Sequence, residues 1–282
     1  MKKKLSIIDF QGMKERGDLV VWVTAYDYPT AQCAEKAGMD MILVGDSLGM
    51  CVYGYEGTMP VTMEQCIDHC EAVRRAAPNT FVVGDMPFLS YQATVEQAVL
   101  NAGRFFKEAR VDAIKLEGGV KVSPQIKAIS DGGMPVMGHI GLTPQSSGQL
   151  GGFKAQGRTA EAALKLLEDA KAIQEAGAFS LLVEAVPPEV CDIIRDTLRI
   201  PVYSIGAGVM ADGQLMICAD LLGLFQAFTP RFVKKYANLA EIITKAFEEY
   251  IAETKAKTFP GEENTYKMLE GEFEKLKKRL RQ

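Results

Sequence analysis

The sequence predicts a closed (β/α)8 barrel, and three observations lead there. Short runs rich in Val, Ile and Leu recur along the chain without polar alternation, as strands buried on both faces of a parallel sheet do. These runs alternate with helix-length segments in one series of eight, which favours a barrel over an open doubly wound sheet. No linker interrupts the 282 residues, and a barrel of this kind takes about 250 residues as one domain.

In chain order, Ser6–Arg16 reads as a short helix covering the bottom of the barrel, and Val20–Ala25 as the first strand. A helix over Tyr28–Ala37 ends at Gly38, the C-cap glycine expected before a strand. The second strand is Met41–Asp46, followed by a loop containing Gly49, Gly54 and Gly57 and a helix over Thr62–Ala77. The third is Phe81–Asp85 with a helix over Val95–Ala109, and the fourth is Ala113–Glu117 with a helix starting near Ser123. Pro135–His139 is the fifth, and a long loop, Gly141–Arg158, leads into a helix over Thr159–Ala176 that stops at Gly177. Ser180–Glu184 is the sixth strand with a helix over Pro188–Leu198, Pro201–Gly206 the seventh, and Ala219–Leu224 the eighth, before a helix over Leu239–Thr254. After Gly261, Leu269, Phe273, Leu276 and Leu280 recur at helical spacing among Lys and Arg. The expected organisation is a barrel domain, 1–263, and an amphipathic helical extension, 264–282, that packs on the barrel or on a neighbouring subunit.

Hydrophobic residues make up 48% of the chain, enough for a large core, and the net charge of −4 argues against nucleic acid or an anionic membrane as the main partner. No apolar run is long enough to span a bilayer, and no signal-peptide stretch follows the basic start Met1-Lys-Lys-Lys, so a cytoplasmic location is expected. Six scattered cysteines in a chain of this size read as reduced thiols. Cys66, His69 and Cys70 share a helix face but lack a fourth ligand at suitable spacing, and read as a buried, inert face.

Four of the strands end in a carboxylate: Asp46, Asp85, Glu117 and Glu184. In a barrel all four face the C-terminal mouth, where catalysis occurs on this fold. Several buried carboxylates repel one another unless a cation joins them, and Mg²⁺ prefers oxygen ligands. Asp46 and Asp85 follow glycines, Gly45 and Gly84, that would let backbone or ligand approach; the alternative is that each Asp caps the next helix. Lys115 lies two residues before Glu117 and points to the same side. It is a substrate anchor, a counter-ion or a Schiff-base lysine. His139 ends the fifth strand, and Glu184, in an apolar run, suits a general base of raised pKa. The Ile205–Gly208 turn is either an anion site or a tight turn beside a bulky ligand. Together these parts describe proton removal next to the carbonyl of a 2-oxo acid, with a metal stabilising the enolate.

The same residues resemble the ketopantoate hydroxymethyltransferase family, from about Ile8 to Glu263. The motifs that carry the resemblance are Thr24–Tyr28, Val44–Met50, Pro60–Thr62, Lys115–Gly119, Gly138–Gln145, Ile205–Gly208 and Asp212–Gln214. The resemblance implies a barrel of the phosphoenolpyruvate/pyruvate type. It implies a Mg²⁺ enzyme that transfers a hydroxymethyl group from 5,10-methylenetetrahydrofolate to 3-methyl-2-oxobutanoate. The product, 2-dehydropantoate, leads to pantothenate and coenzyme A. Position by position it makes Asp46 and Asp85 metal ligands, with Glu117 completing the site directly or through water. Asp46, Ser47, Asp85 and Lys115 become substrate contacts with His139 alongside, and Glu184 the proton acceptor. It also implies a homodecamer. Gly57 stands where the family usually has serine, and Cys218-Ala-Asp220 where many members have a His-Asp pair.

The sequence also admits two rival readings. One is a Mg²⁺-dependent lyase or aldolase on the same barrel, distinguished by needing no tetrahydrofolate. The other is a catalytically silent scaffold, against which the intact set Asp46, Asp85, Lys115, Glu117 and Glu184 speaks.

Overall fold

The computed structural model describes residues 3–281, so Met1, Lys2 and Gln282 of the predicted termini lie outside the described residues. The chain forms two compact units, Met1–Tyr236 and Ala237–Gln282. In the first, eight parallel strands close a barrel in sequence order: β1 Val20–Thr24, β2 Met41–Val44, β3 Phe81–Asp85, β4 Ala113–Glu117, β5 Val136–Gly141, β6 Ser180–Glu184, β7 Val202–Ile205 and β8 Gly213–Met216. Its helices are α1 Ile7–Arg16, α2 Tyr28–Ala37, α3 Leu48–Cys51, α4 Met63–Ala76, α5 Val95–Arg104, α6 Ser123–Asp131, α7 Ser147–Leu150, α8 Ala160–Glu175, α9 Pro188–Thr197 and α10 Cys218–Leu221. The second unit holds α11 Leu239–Ala256 and α12 Glu272–Leu280.

Inside the barrel the strands stack Val20, Trp22, Met41, Leu43, Phe81, Val83, Ala113, Met137, Leu182, Tyr203, Ile205 and Leu215 into one cluster, with Phe10 of α1 closing the bottom. The Phe10 ring meets Phe81 edge-on at 5.0 Å. Helix α1 is placed for this by a capping box in which Ser6 and Asp9 satisfy each other's backbone. The residues of opposite parity on the strands, such as Ile42, Val82, Ile114 and Leu181, face the helices in a second core.

Three elements differ from the sequence expectation. The eighth strand is Gly213–Met216, and Ala219–Leu224 instead enters α10. The strand was hidden because it starts with glycine: a Cβ at Gly213 would lie 2.3 Å from the Val20 carbonyl, so β1 approaches only a glycine here. The predicted Val95–Ala109 helix changes at Phe105 into a π-helical turn, Phe105–Ala109. The Gly141–Arg158 loop holds a 3-10 turn, Pro144–Ser146, and the short α7.

All six cysteines are free. Burial pushes the Cys66 and Cys70 thiols up, and His69 turns away from them to Tyr53 Oη at 3.1 Å and to the Tyr26 carbonyl. No helix among the described residues is long and apolar enough to cross a membrane.

Candidate active site

The strand period of two decides which side chains enter the barrel. Asp85 continues the inward row of Phe81 and Val83, Lys115 and Glu117 that of Ala113, His139 that of Met137, and Glu184 that of Leu182. Register then sets neighbours: Asp85 pairs with Lys115, and Glu117 with His139. Asp46 has the wrong parity to follow Leu43. It reaches the mouth because β2 stops at Val44 and the chain turns, with the Leu48 N–H bonding the Gly45 carbonyl. All seven predicted residues, Asp46, Ser47, Asp85, Lys115, Glu117, His139 and Glu184, line one cavity of about 490 Å³.

Within it the charges interlock. Lys115 Nζ lies 2.9 Å from Asp85 Oδ1 and 3.4 Å from Glu117 Oε1, and 3.3 Å from His139 Nδ1. His139 Nε2 lies 3.2 Å from Glu184 Oε2. Asp85 Oδ2 accepts from the Asp46 N–H at 2.9 Å, so neither aspartate caps a helix. Ser47 bonds the Tyr26 hydroxyl at 2.8 Å, which in turn accepts from Thr24 at 2.9 Å.

Burial pushes the Asp46 carboxyl up, and repulsion from Glu117 adds to it. Asp85 is raised further, by burial first, against the pull of Lys115. Glu117 is raised by burial with Lys115 opposing. Burial alone would depress Lys115, but Asp85, Glu117 and Asp46 together hold it above its ordinary value, so it is an ammonium and a poor Schiff-base nucleophile. Burial and the Lys115 charge lower His139, leaving a neutral imidazole. Glu184 is less enclosed than its apolar strand suggested, with a side chain 16% exposed to the cavity.

Three buried carboxyl groups, each disfavoured as an anion by burial, stand beside one ammonium as a set of hard oxygen donors that would gain a counter-charge from a cation. A divalent cation of the Mg²⁺ kind fits that set. Among the described residues no three Asp, Glu, His or Cys side chains stand grouped to hold one ion directly.

Gln145 was part of a motif in the sequence but carried no assigned role. It is buried, and its amide donates to Asp46 Oδ2 and to the Met86 carbonyl, each at 2.9 Å. Its backbone N–H donates to Glu117 Oε2 at 3.0 Å, and its side-chain oxygen accepts from Tyr91 Oη at 2.7 Å. One residue thus ties Asp46 to Glu117. Nothing in a lone glutamine signals this; only its place just past β5 does.

The glycines act differently from expectation. A Cβ at Gly84 would meet the Phe105 ring at 2.6 Å, so this glycine admits the helix layer, not a ligand. Gly45 does sit at the site, 3.7 Å from Asp85 Oδ2 by the same measure. The Ile205–Gly208 turn is a tight turn: Phe232 covers Gly206, and the Ala207 N–H is taken by Ser204 Oγ at 3.0 Å.

Solved structures share this architecture. Phosphonopyruvate hydrolase, crystallised with oxalate and Mg²⁺, superposes with a TM-score of 0.60 at 12% identity, covering 98% of this chain and 97% of that one. A 2,3-dimethylmalate lyase gives 0.58 at 17% identity, covering 98% of each. At such identities the likeness is one of fold, that of a closed (β/α)8 barrel. The family model of ketopantoate hydroxymethyltransferase matches residues 4–262. A 3-methyl-2-oxobutanoate hydroxymethyltransferase of Alkaliphilus metalliredigens (strain QYMF) is 66% identical over 278 residues, covering 98% of both chains. One of Moorella thermoacetica (strain ATCC 39073 / JCM 9320) is 52% identical over 266 residues, covering 94% of this chain and 99% of its own. The chain belongs to the ketopantoate hydroxymethyltransferase family, and its activity is that of a hydroxymethyltransferase.

Proposed function

We propose that the enzyme takes its one-carbon unit from 5,10-methylenetetrahydrofolate, uses Mg²⁺, and assigns its steps to the residues at the mouth. The observation that carries this reading is the unbroken run of polar contacts Asp85–Lys115–His139–Glu184 across one side of the cavity. Asp46 and Asp85 hold the Mg²⁺, with Glu117 through water or directly; when bound it supplies Lewis-acid polarisation of the 2-oxo acid.

Lys115 and Ser47 anchor the acid's oxygens. Glu184, facing open cavity, removes the proton from the branched carbon. His139, neutral and adjacent, orients the Glu184 carboxylate and offers it a donor. The carbanion so formed makes a C–C bond to the carrier's methylene carbon. Both bonds from that carbon to the carrier nitrogens break in turn, water supplies the hydroxyl, and the two freed amines take one proton from the branched carbon and one from water. Loss of one C–H, one O–H and two C–N bonds is thus matched by new C–C and C–O bonds and two new N–H bonds, without any redox change.

The test is solvent deuterium exchange at the branched carbon of 3-methyl-2-oxobutanoate, followed by NMR. Exchange should need Mg²⁺, stop with a chelator, resume on adding Mg²⁺ back, and lead to 2-dehydropantoate once methylenetetrahydrofolate is present. Product formation without any folate would overturn the carrier assignment, and exchange indifferent to chelation the metal assignment.

A further inference from the structure

The cavity has more to it than a place for a five-carbon acid. Its polar groups gather on the β2–β6 side, around Asp46, Asp85, Lys115 and Glu184. The β8 side is built otherwise: Ile217, Phe225, Phe228, Pro230 and Phe232 form an apolar, largely aromatic wall. Phe225 and Phe228 pack edge to face at 5.4 Å.

Set in that wall is a single buried acid, Asp220. It is 7% exposed and lines the cavity. Among the described residues its carboxylate has no hydrogen-bond donor, and the one cation acting on it, Lys235, does so only at a distance. It does not cap α10, whose N-cap is Ile217 without a side-chain bond. Burial pushes its carboxyl up to about 6, with Lys235 opposing from a distance. A carboxylate held in an apolar wall without a donor is costly. The cost is removed when a ligand brings N–H donors to it.

We infer that Asp220 is the recognition group for the ring of the one-carbon carrier, accepting hydrogen bonds from the adjacent 2-amino and ring N–H groups of a 2-amino-4-oxopyrimidine while the Phe225, Phe228 and Phe232 wall packs on the flat ring. Two parallel N–H donors on a planar edge match a carboxylate as a guanidinium does. The ring would then lie across the cavity from Glu184, and the methylene it carries would face the carbon that Glu184 deprotonates. Arg231 and Lys154, both exposed at the rim, suit the anionic tail of such a carrier. This assignment rests on the carrier proposed above and adds the residue that reads it.

The experiment is calorimetric titration of tetrahydrofolate into the full-length, Mg²⁺-loaded enzyme with 3-methyl-2-oxobutanoate present, for wild type, Asp220→Asn and Asp220→Ala. Affinity should fall at least tenfold in both variants, since bonds to a charged acceptor are lost. Deuterium exchange of the oxo acid, which needs no carrier, should continue in both and so report a folded acidic half. A tetrahydrofolate analogue lacking the 2-amino group should bind wild type more weakly than tetrahydrofolate, yet bind Asp220→Ala as well as tetrahydrofolate does. Equal tetrahydrofolate affinity in wild type and variants, or an equal penalty for the analogue in both, overturns the role of Asp220 and leaves the carrier standing. A wild-type enzyme that does not bind tetrahydrofolate removes the carrier and this inference together.

Discussion

Glu184 is followed by Ala185 at a φ of +48°, a left-handed conformation that costs a non-glycine residue about 1–2 kcal/mol. The strain is held by bonds on both sides: the Ala185 N–H donates to the Ile205 carbonyl, and its own carbonyl accepts from the Gln156 N–H, both at 2.9 Å. Ala185→Gly should therefore raise the unfolding midpoint while slowing exchange, because Glu184 is less firmly aimed; a faster exchange rate would count against a positioning role. Glu184→Gln should lower exchange by about 10²–10⁴-fold, the usual worth of a general base, with 3-methyl-2-oxobutanoate binding retained in a titration. Gln145→Leu removes the donor to Asp46 and leaves the Tyr91 hydroxyl without its short partner. A loss of about 1–3 kcal/mol in urea unfolding is expected, together with a weaker Mg²⁺ requirement curve; an unchanged metal titration would mean that Asp46 needs no such tether. Each of these residues except Gln145 and Ala185 was readable as chemistry from the chain, because acids at strand ends are rare without a purpose. Gln145 was not, because its importance lies in five simultaneous bonds to groups far apart in sequence.

At the scale of elements, β3 and the π-turn after α5 form one packing unit. Gly84 leaves room for the Phe105 ring, and the turn sets that ring against the strand immediately behind Asp85. Gly138 does the same for Ile173 of α8, which a Cβ would meet at 2.5 Å. Gly84→Ala should cost about 1–3 kcal/mol through overpacking, read as a lower urea midpoint, and should reduce exchange because the strain falls next to Asp85. A variant as stable and active as wild type would show that Phe105 can step aside. The helix spans and the C-cap glycines Gly38 and Gly177 were legible beforehand, while the N-caps Ser6, Thr62, Thr94 and Thr159, which accept from their own helices, emerge from the structure. The eighth strand was not legible, because Gly213-Gln-Leu-Met carries no strong apolar run and becomes a strand only where β1 and β7 flank it.

For the whole molecule, the first unit is a closed barrel with its own two cores. In the second, no residue of α11 is buried, and Ile242, Phe247 and Tyr250 are more than half exposed. Large apolar side chains in such a row suit association between copies, and we carry the homodecamer implied by the resemblance as a proposal on that basis. Ile243→Asp together with Phe247→Asp should lower the mass measured by light scattering without abolishing the far-UV signature of the fold. An unchanged mass would place the subunit contacts elsewhere.

The sequence by itself determined the alternation of strands and helices, the family, and the set of acids, lysine and histidine at the strand ends. These are local: each follows from a residue's type, its strand parity and its distance from a glycine or a cap. Tertiary structure alone decided that Asp46 turns inward against its strand parity and that Lys115 stands between Asp85 and Glu117. It also decided that Gln145 joins two acids 71 residues apart in the chain, and that Asp220 sits in an aromatic wall and not in a strand. Closure of the barrel brings residues from seven of the eight strands, β2 to β8, to one mouth. Which of them meet there depends on register and loop path, and neither is written in any single segment.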